Sequence, residues 1–177
     1  MKKFIIAILF IIIAGTANTF AQSTISRSTI TFHIKNMGIG TSGTFSGLQA
    51  SVNFNPADLA KSTIDASVET STLNSNNSSR DEHLKSEDFF DIAKYPKITL
   101  KSVSFTHKSG DNYTGKFNLT IKDKTKLIDM PFTYVQKDNK IAFKGTFKIN
   151  RLDYGIGGNS LILADQATID IDAEATK

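Results

Sequence analysis

Along most of this chain, polar and apolar side chains alternate with a period of two. Ile30, Phe32 and Ile34 share one face, with Thr29, Thr31, His33 and Lys35 on the other. Such alternation marks a β-strand with one buried and one wet face. It returns at Leu48, Ala50, Val52 and Phe54, and again where Ile64, Ala66 and Val68 alternate with Asp65, Ser67 and Glu69. Ile98 and Leu100 share one phase while Val103 and Phe105 take the other, which predicts a bulge near Lys101 and Ser102. Cleaner registers follow at Tyr113, Gly115, Phe117, Leu119 and Ile121, and at Ile141, Phe143, Gly145, Phe147 and Ile149. Ala167, Ile169, Ile171 and Ala173 close the chain, opposite Thr168, Asp170, Asp172 and Glu174. The run from Thr125 to Gln136 also reads as a strand, without a settled inward phase. Turn residues at Asn55 to Asp58, Ser109 to Asn112, Lys122 to Lys124 and Lys137 to Asn139 separate the runs. The pattern predicts an all-β chain of about eight strands joined mostly by hairpins, hence an antiparallel sheet. Closure into a barrel removes exposed edges, and about eight strands can enclose one small ligand.

One stretch departs from this pattern. Between the third and fourth predicted strands, Ser79 and Glu82 have capping-box spacing, and Asp81 and Glu82 suit the positive end of a helix dipole. Ser86 is expected to cap a second short turn carrying Glu87, Asp88, Phe89 and Phe90, and Pro96 to end the unit. A charged helical insertion with aromatics beneath it reads as a lid on a β-structure. The segment Gly38-Ile39-Gly40-Thr41-Ser42-Gly43 formally matches a dinucleotide-binding fingerprint, but a strand follows it where that chemistry needs a helix N-terminus. Its glycines are therefore read as turn residues with positive φ. Arg151 to Ala164, with Gly155, Gly157 and Gly158, reads as a long loop.

The two faces of the late strands decide what kind of barrel this is. One face carries Lys116, Lys122, Lys144, Lys148, Asp170, Asp172 and Glu174. Turned to lipid, each basic residue would cost roughly 2–4 kcal/mol at the bilayer midplane. The apolar face therefore points inward, which excludes a membrane-spanning barrel. Inward glycines and alanines (Gly115, Gly145, Ala50, Ala66, Ala173) leave room for a cavity among bulkier side chains, although the same face is compatible with a packed core.

The chain has 177 residues, which suits one domain after the start is set aside. Lys2 and Lys3 precede an apolar run from Phe4 to Ala14 that is too short to span a bilayer, and Thr19-Phe20-Ala21 places small residues before a cut. Residues 1–21 are thus expected to be a signal peptide, and residues 22–177 an exported barrel domain in the periplasm or outside the cell. Without Lys2 and Lys3 the balance falls from 21 basic against 17 acidic residues to 19 against 17, too weak to suggest nucleic acid. The absence of cysteine removes disulfides, thiolate catalysis and thiolate metal sites.

The insertion also carries a resemblance. Arg80-Asp81-Glu82-His83-Leu84-Lys85-Ser86-Glu87-Asp88-Phe89-Phe90-Asp91, followed by Tyr95-Pro96, resembles the signature of the YceI-like family. Phe32-His33-Ile34-Lys35 is similar to that family's opening strand, with Asn36 where a histidine is often found. Gly43-Thr44-Phe45-Ser46-Gly47 and Phe54-Asn55-Pro56 match its next elements, and Ser75 stands where threonine is common. Gly115 to Ile121 resembles a G-x-L-T-I strand lengthened by two residues. Ile149-Asn150-Arg151-Leu152-Asp153-Tyr154-Gly155 resembles an I-N-R-x-D-F-G motif with Tyr154 in place of phenylalanine. The resemblance implies a lipocalin-like barrel holding a polyisoprenoid or similar long-chain amphiphile in a bacterial periplasmic or secreted protein.

On that reading the candidate interior contacts are Ile30, Phe32, Phe45, Val68, Phe117 and Leu119, continued by Ile121, Phe143, Phe147, Ile169 and Ile171. Arg80, Asp81, His83, Arg151 and Asp153 are candidates for the rim, either tying insert and loop to the barrel or meeting a head group. For a diphosphate, Arg80 and Arg151 would be the best clamps. No cofactor is expected beyond a bound isoprenoid or fatty-acid-like lipid, and no metal, because His33, His83 and His107 lie in separate elements. The expected function is non-catalytic binding or carriage of a polyisoprenoid, isoprenoid quinone or fatty-acid derivative. The alternatives are a ligand-free, stress-related interaction protein with a packed barrel, and a small lipid-modifying enzyme. Expected partners are the long-chain ligand and, through the late-strand lysines, a peripheral membrane contact; the oligomeric state stays open.

Overall fold

A computed structural model describes residues 24–176. The segment expected to be a signal peptide lies outside the described residues. The alternating runs form nine antiparallel strands in one sheet: β1 (Thr24–Asn36), β2 (Ile39–Phe45), β3 (Gln49–Asn53), β4 (Thr63–Glu69), β5 (Lys97–Ser109), β6 (Asn112–Ile121), β7 (Lys124–Lys137), β8 (Lys140–Asn150) and β9 (Gln166–Thr176). Their order is β2-β1-β9-β8-β7-β6-β5-β4-β3, so the sheet curls around and brings β9 back against β1. The barrel-like antiparallel architecture is as expected, with one strand more than the eight anticipated.

The extra strand is β2, which the glycine run concealed. The turn is compressed into Met37 and Gly38, both at positive φ (53° and 77°), a two-residue hairpin whose twist suits the flanking strands. Gly40 and Gly43 lie in the strand that follows. Gly43 is required there for a different reason: it pairs with Phe32, and a Cβ on it would fall 2.4 Å from the Phe32 ring. With β2 counted, the helical insertion falls between β4 and β5.

The edges β2 and β3 are the two ends of the sheet order. The end of β2 is stitched to the segment after β4 instead. Thr44 and Asn74 exchange backbone hydrogen bonds (2.8 and 3.0 Å), and the Thr72 hydroxyl both accepts from Ser46 N and donates to Ser46 O. The buried Thr70 receives the returning chain: its amide donates to Pro96 O and its hydroxyl to Tyr95 O. The insert therefore leaves and re-enters the barrel at one point.

The inward phases hold along β6, β8 and β9. In β7 the inward set is Met130, Phe132 and Tyr134. The bulge of β5 falls at Val103, whose side chain turns out to solvent, while Phe105 returns to the core. The inward glycines leave no room, because rings fill it. A Cβ on Gly115 would sit 2.3 Å from the ring of Phe117, and one on Gly145 would sit 2.9 Å from Met130 Sδ. At the end of the barrel away from the insert, Phe54 packs against Phe105, Tyr113, Phe132 and Tyr134 with ring centroids 4.5–5.7 Å apart. Phe117 is fully buried beside Phe105. Its replacement by alanine should lower stability by about 3–5 kcal/mol in urea unfolding, through lost burial and a cavity its neighbours cannot collapse into.

Candidate ligand-binding site

The other end of the barrel is roofed by the insert and the long loop. Within the insert, α1 (Ser78–Lys85) starts at Asn77, whose side chain accepts from Arg80 N at 2.9 Å. The capping box expected at Ser79 and Glu82 does not form, because Asn76 at positive φ turns the chain so that Asn77 occupies the N-cap. Ser86 is the C-cap of this helix, its hydroxyl donating to His83 O, and the short turn expected after it runs over Glu87–Phe90. That turn drops Phe90 into the barrel, edge-on to Phe45, which in turn meets Phe32 (5.6 and 5.9 Å between centroids).

The rim candidates separate by role. Asp81 accepts from both the amide and the hydroxyl of the buried Ser75, and Arg80 donates its Nε to the same hydroxyl at 2.8 Å. The Ser75 hydroxyl is the main cause holding the Asp81 carboxyl below its usual pKa. Arg80 and Asp81 thus fasten α1 to the chain before it. His83 is exposed and stacks edge-on against Phe89 at 4.9 Å. Asp153 is exposed at the start of a 3₁₀ turn, Arg151–Tyr154.

Arg151 is only 2% exposed. Its Nε donates to Ala164 O (3.0 Å), Nη1 to Ile156 O and Gly158 O (3.1 and 2.7 Å), and Nη2 to Leu163 O and Asp165 Oδ1 (3.2 and 3.0 Å). A guanidinium has five N–H groups, and all five are satisfied by the loop. The expectation that Arg151 clamps a diphosphate is corrected by this geometry, since no donor is left to offer.

Insert and loop meet over the barrel. Gly157 N donates to Asp88 O at 2.8 Å, and Lys122 Nζ bridges Glu87 O and Gly155 O at 3.3 and 3.2 Å. Beneath them lies a cavity of about 150 Å³, its wall apolar apart from Ser67 and Arg151. Ile30, Phe32, Phe45, Val68, Leu119, Ile121, Phe147, Ile169 and Ile171 stand in this wall. Phe117 does not; it belongs to the packed core. Phe143 lines a second, smaller cavity of about 50 Å³ further along the barrel. The two spaces share Leu48, Ala66, Leu100 and Ile171 as a common wall. Sequence reading missed Ile34, Ile98 and Ile149 in the main wall, although they lie in the inward phases already recognised. It also missed Leu84, Ile156 and Leu163, which come from helix and loop and carry no strand periodicity.

Tyr154, also 2% exposed, has a buried hydroxyl with no hydrogen-bond partner among the described residues. Burial, then the nearby Asp153, pushes its pKa up to about 12 from the ordinary 10. Tyr154→Phe should therefore leave stability at neutral pH unchanged or raise it by about 1 kcal/mol. Between pH 10 and 12 the unfolded chain releases this proton while the folded chain keeps it, so folding stability declines across that window. The wild-type decline should exceed that of the variant by about 2–3 kcal/mol at the top of the window, read from urea melts against pH. Arg151→Lys, with three donors for five acceptors, should cost roughly 2 kcal/mol or more in the same melts.

Comparisons with known proteins agree with this architecture. The profile of the YceI-like domain matches residues 22–175. A UPF0312 protein of Vibrio cholerae is 29% identical over 150 residues, covering 81% of this chain and 79% of its own length. One from Pseudomonas savastanoi pv. phaseolicola is 31% identical, covering 81% and 77%. Among solved structures, Burkholderia cenocepacia BcnA superposes with a TM-score of 0.80 at 26% identity, over 84% of this chain and 96% of that one. A polyisoprenoid binding domain from Saccharophagus degradans shares the fold at a TM-score of 0.70 and 12% identity, over 88% and 97%. The cavity sits in a barrel of known kind: this chain belongs to the YceI-like family.

Proposed function

We propose that this protein is an exported, non-catalytic carrier that holds the apolar chain of a polyisoprenoid, isoprenoid quinone or fatty-acid derivative inside its barrel. The observation that carries the reading is the lidded cavity whose wall offers only Ser67 and Arg151 as polar side chains, with every Arg151 donor already spent. Such a wall rewards burial of hydrocarbon and, the Ser67 hydroxyl apart, gives a head group nothing to bind. Selection then falls on the tail, and the head remains at the roof, near Lys122 and the exposed His83. The wall also presents no acid, base or metal-binding cluster that could drive chemistry, which supports binding over catalysis. The polyisoprenoid-binding relative of the same fold points the same way.

A chain longer than the main cavity would pass Ala66 and Leu100 into the smaller one. About 150 Å³ is the size of a cavity known to hold one benzene, so longer tails require these shared walls to part. The close packing of the rest of the interior favours, as the second reading, a ligand-free interaction protein.

Native mass spectrometry of the exported protein, followed by organic extraction, should release a long-chain lipid. A folded barrel that is empty by that measurement would hand the case to the second reading. Ala66→Phe, which fills the wall the two cavities share, should weaken uptake of parinaric acid about tenfold or more in a fluorescence titration while the barrel stays folded.

A further inference from the structure

The roofed end of the barrel carries an apolar surface that the cavity does not absorb. Met37 and Ile39, at the β1–β2 turn, are 72% and 71% exposed; Leu161 and Ile162, in the long loop, are 107% and 55% exposed. These are neighbours in space. Met37 N donates to Ile162 O at 2.7 Å, Ala164 N donates to Lys35 O at 2.9 Å, and Asn36 bridges Leu163. The other exposed large apolar residues, Val103, Leu127 and Val135, stand apart on the outer faces of strands β5 and β7. Scattered residues of that kind are ordinary, whereas four on one tip are not.

We propose that this tip inserts into a lipid bilayer and seats the roofed end of the barrel on the membrane. Three features select a bilayer over a protein partner. First, the tip projects: Leu161 is as open as a side chain can be, so there is no groove for a partner to fill. Second, from Lys35 to Thr44 and from Ile156 to Ala164 the sole charged residue is Lys35. The tip can therefore enter an interface without burying a carboxylate, with Lys35 placed to reach anionic head groups. Third, both segments adjoin the cavity: Ile34 and Phe45, which flank the first, and Ile156 and Leu163 of the second stand in its wall. Resting on the carrier reading above, this means a tail could move between bilayer and barrel along continuous apolar surface. This places the membrane contact on the tip and not on the late-strand lysines. Two of those, Lys116 and Lys144, are paired with Asp129 and Asp172 at 2.8 and 2.9 Å.

The test is flotation of the exported form with vesicles of phosphatidylethanolamine and phosphatidylglycerol, comparing wild type with Met37→Ser, Leu161→Ser and the double variant. Each removed side chain should weaken partitioning about tenfold. The variants, altered only at exposed positions, should keep the wild-type melting temperature and equilibrium affinity for parinaric acid, but take up that probe from vesicles more slowly. Wild type that does not float, or variants that float equally well, would overturn the proposal. So would light scattering that shows a wild-type dimer dissolved by the substitutions, since the tip would then meet a second copy. A failed carrier reading looks different: parinaric acid does not bind at equilibrium, whatever the flotation shows.

Discussion

The buried guanidinium of Arg151 is the contact on which the roofed end of this molecule depends. The chain from Gly155 to Asp165 has no regular structure to absorb its carbonyl groups, and a roof over an apolar space cannot leave such groups unpaired. One side chain resolves this by offering all its N–H groups to four of those carbonyls and one carboxylate. The loop so ordered contributes Ile156 and Leu163 to the cavity wall, meets the insert at Gly157 and holds Leu161 and Ile162 out in solvent. Wall, roof and tip are consequences of one charge placed under a loop.

The insert follows a parallel logic on a smaller scale. Ser75 is buried between Arg80 and Asp81, so the charged face of a short helix is turned onto its own entry segment. This frees the opposite side, Leu84 with Phe89 and Phe90, to face the cavity. Arg80 and Asp81, charges that stand out in the signature, are spent on shape, and Leu84, Phe89 and Phe90 after them meet the interior.

Much of the fold was legible because a one-sided sheet enforces period two. Tyr113 to Ile121 and Ile141 to Ile149 could be assigned to faces from their spacing alone. The misreadings fall where another constraint overrides spacing. β2 was hidden because Gly43 serves packing under Phe32 and not a turn. The same confusion made Gly115 and Gly145 look like open space, when an adjacent ring or a methionine fills each. The cap of α1 moved to Asn77 because Ser75 and Asp81 pull the chain into that path, a tertiary effect invisible to local spacing. Arg151 was found as a residue of note, but its role was not, since four of its five acceptors are backbone oxygens, up to 13 positions away, and sequence does not display them.

The stitched edge of β2 has a consequence for how such a barrel can breathe. Around the rest of the wall, widening would break long ladders of strand pairing at once. Between β2 and β3, among the described residues, the hydrogen bonds across the gap are those of Thr44 with Asn74 and Ser46 with Thr72, beside the aromatic column that runs from Phe90 through Phe45 to Phe32. That seam is where the fewest hydrogen bonds hold the circumference, so widening there would leave the staves joined.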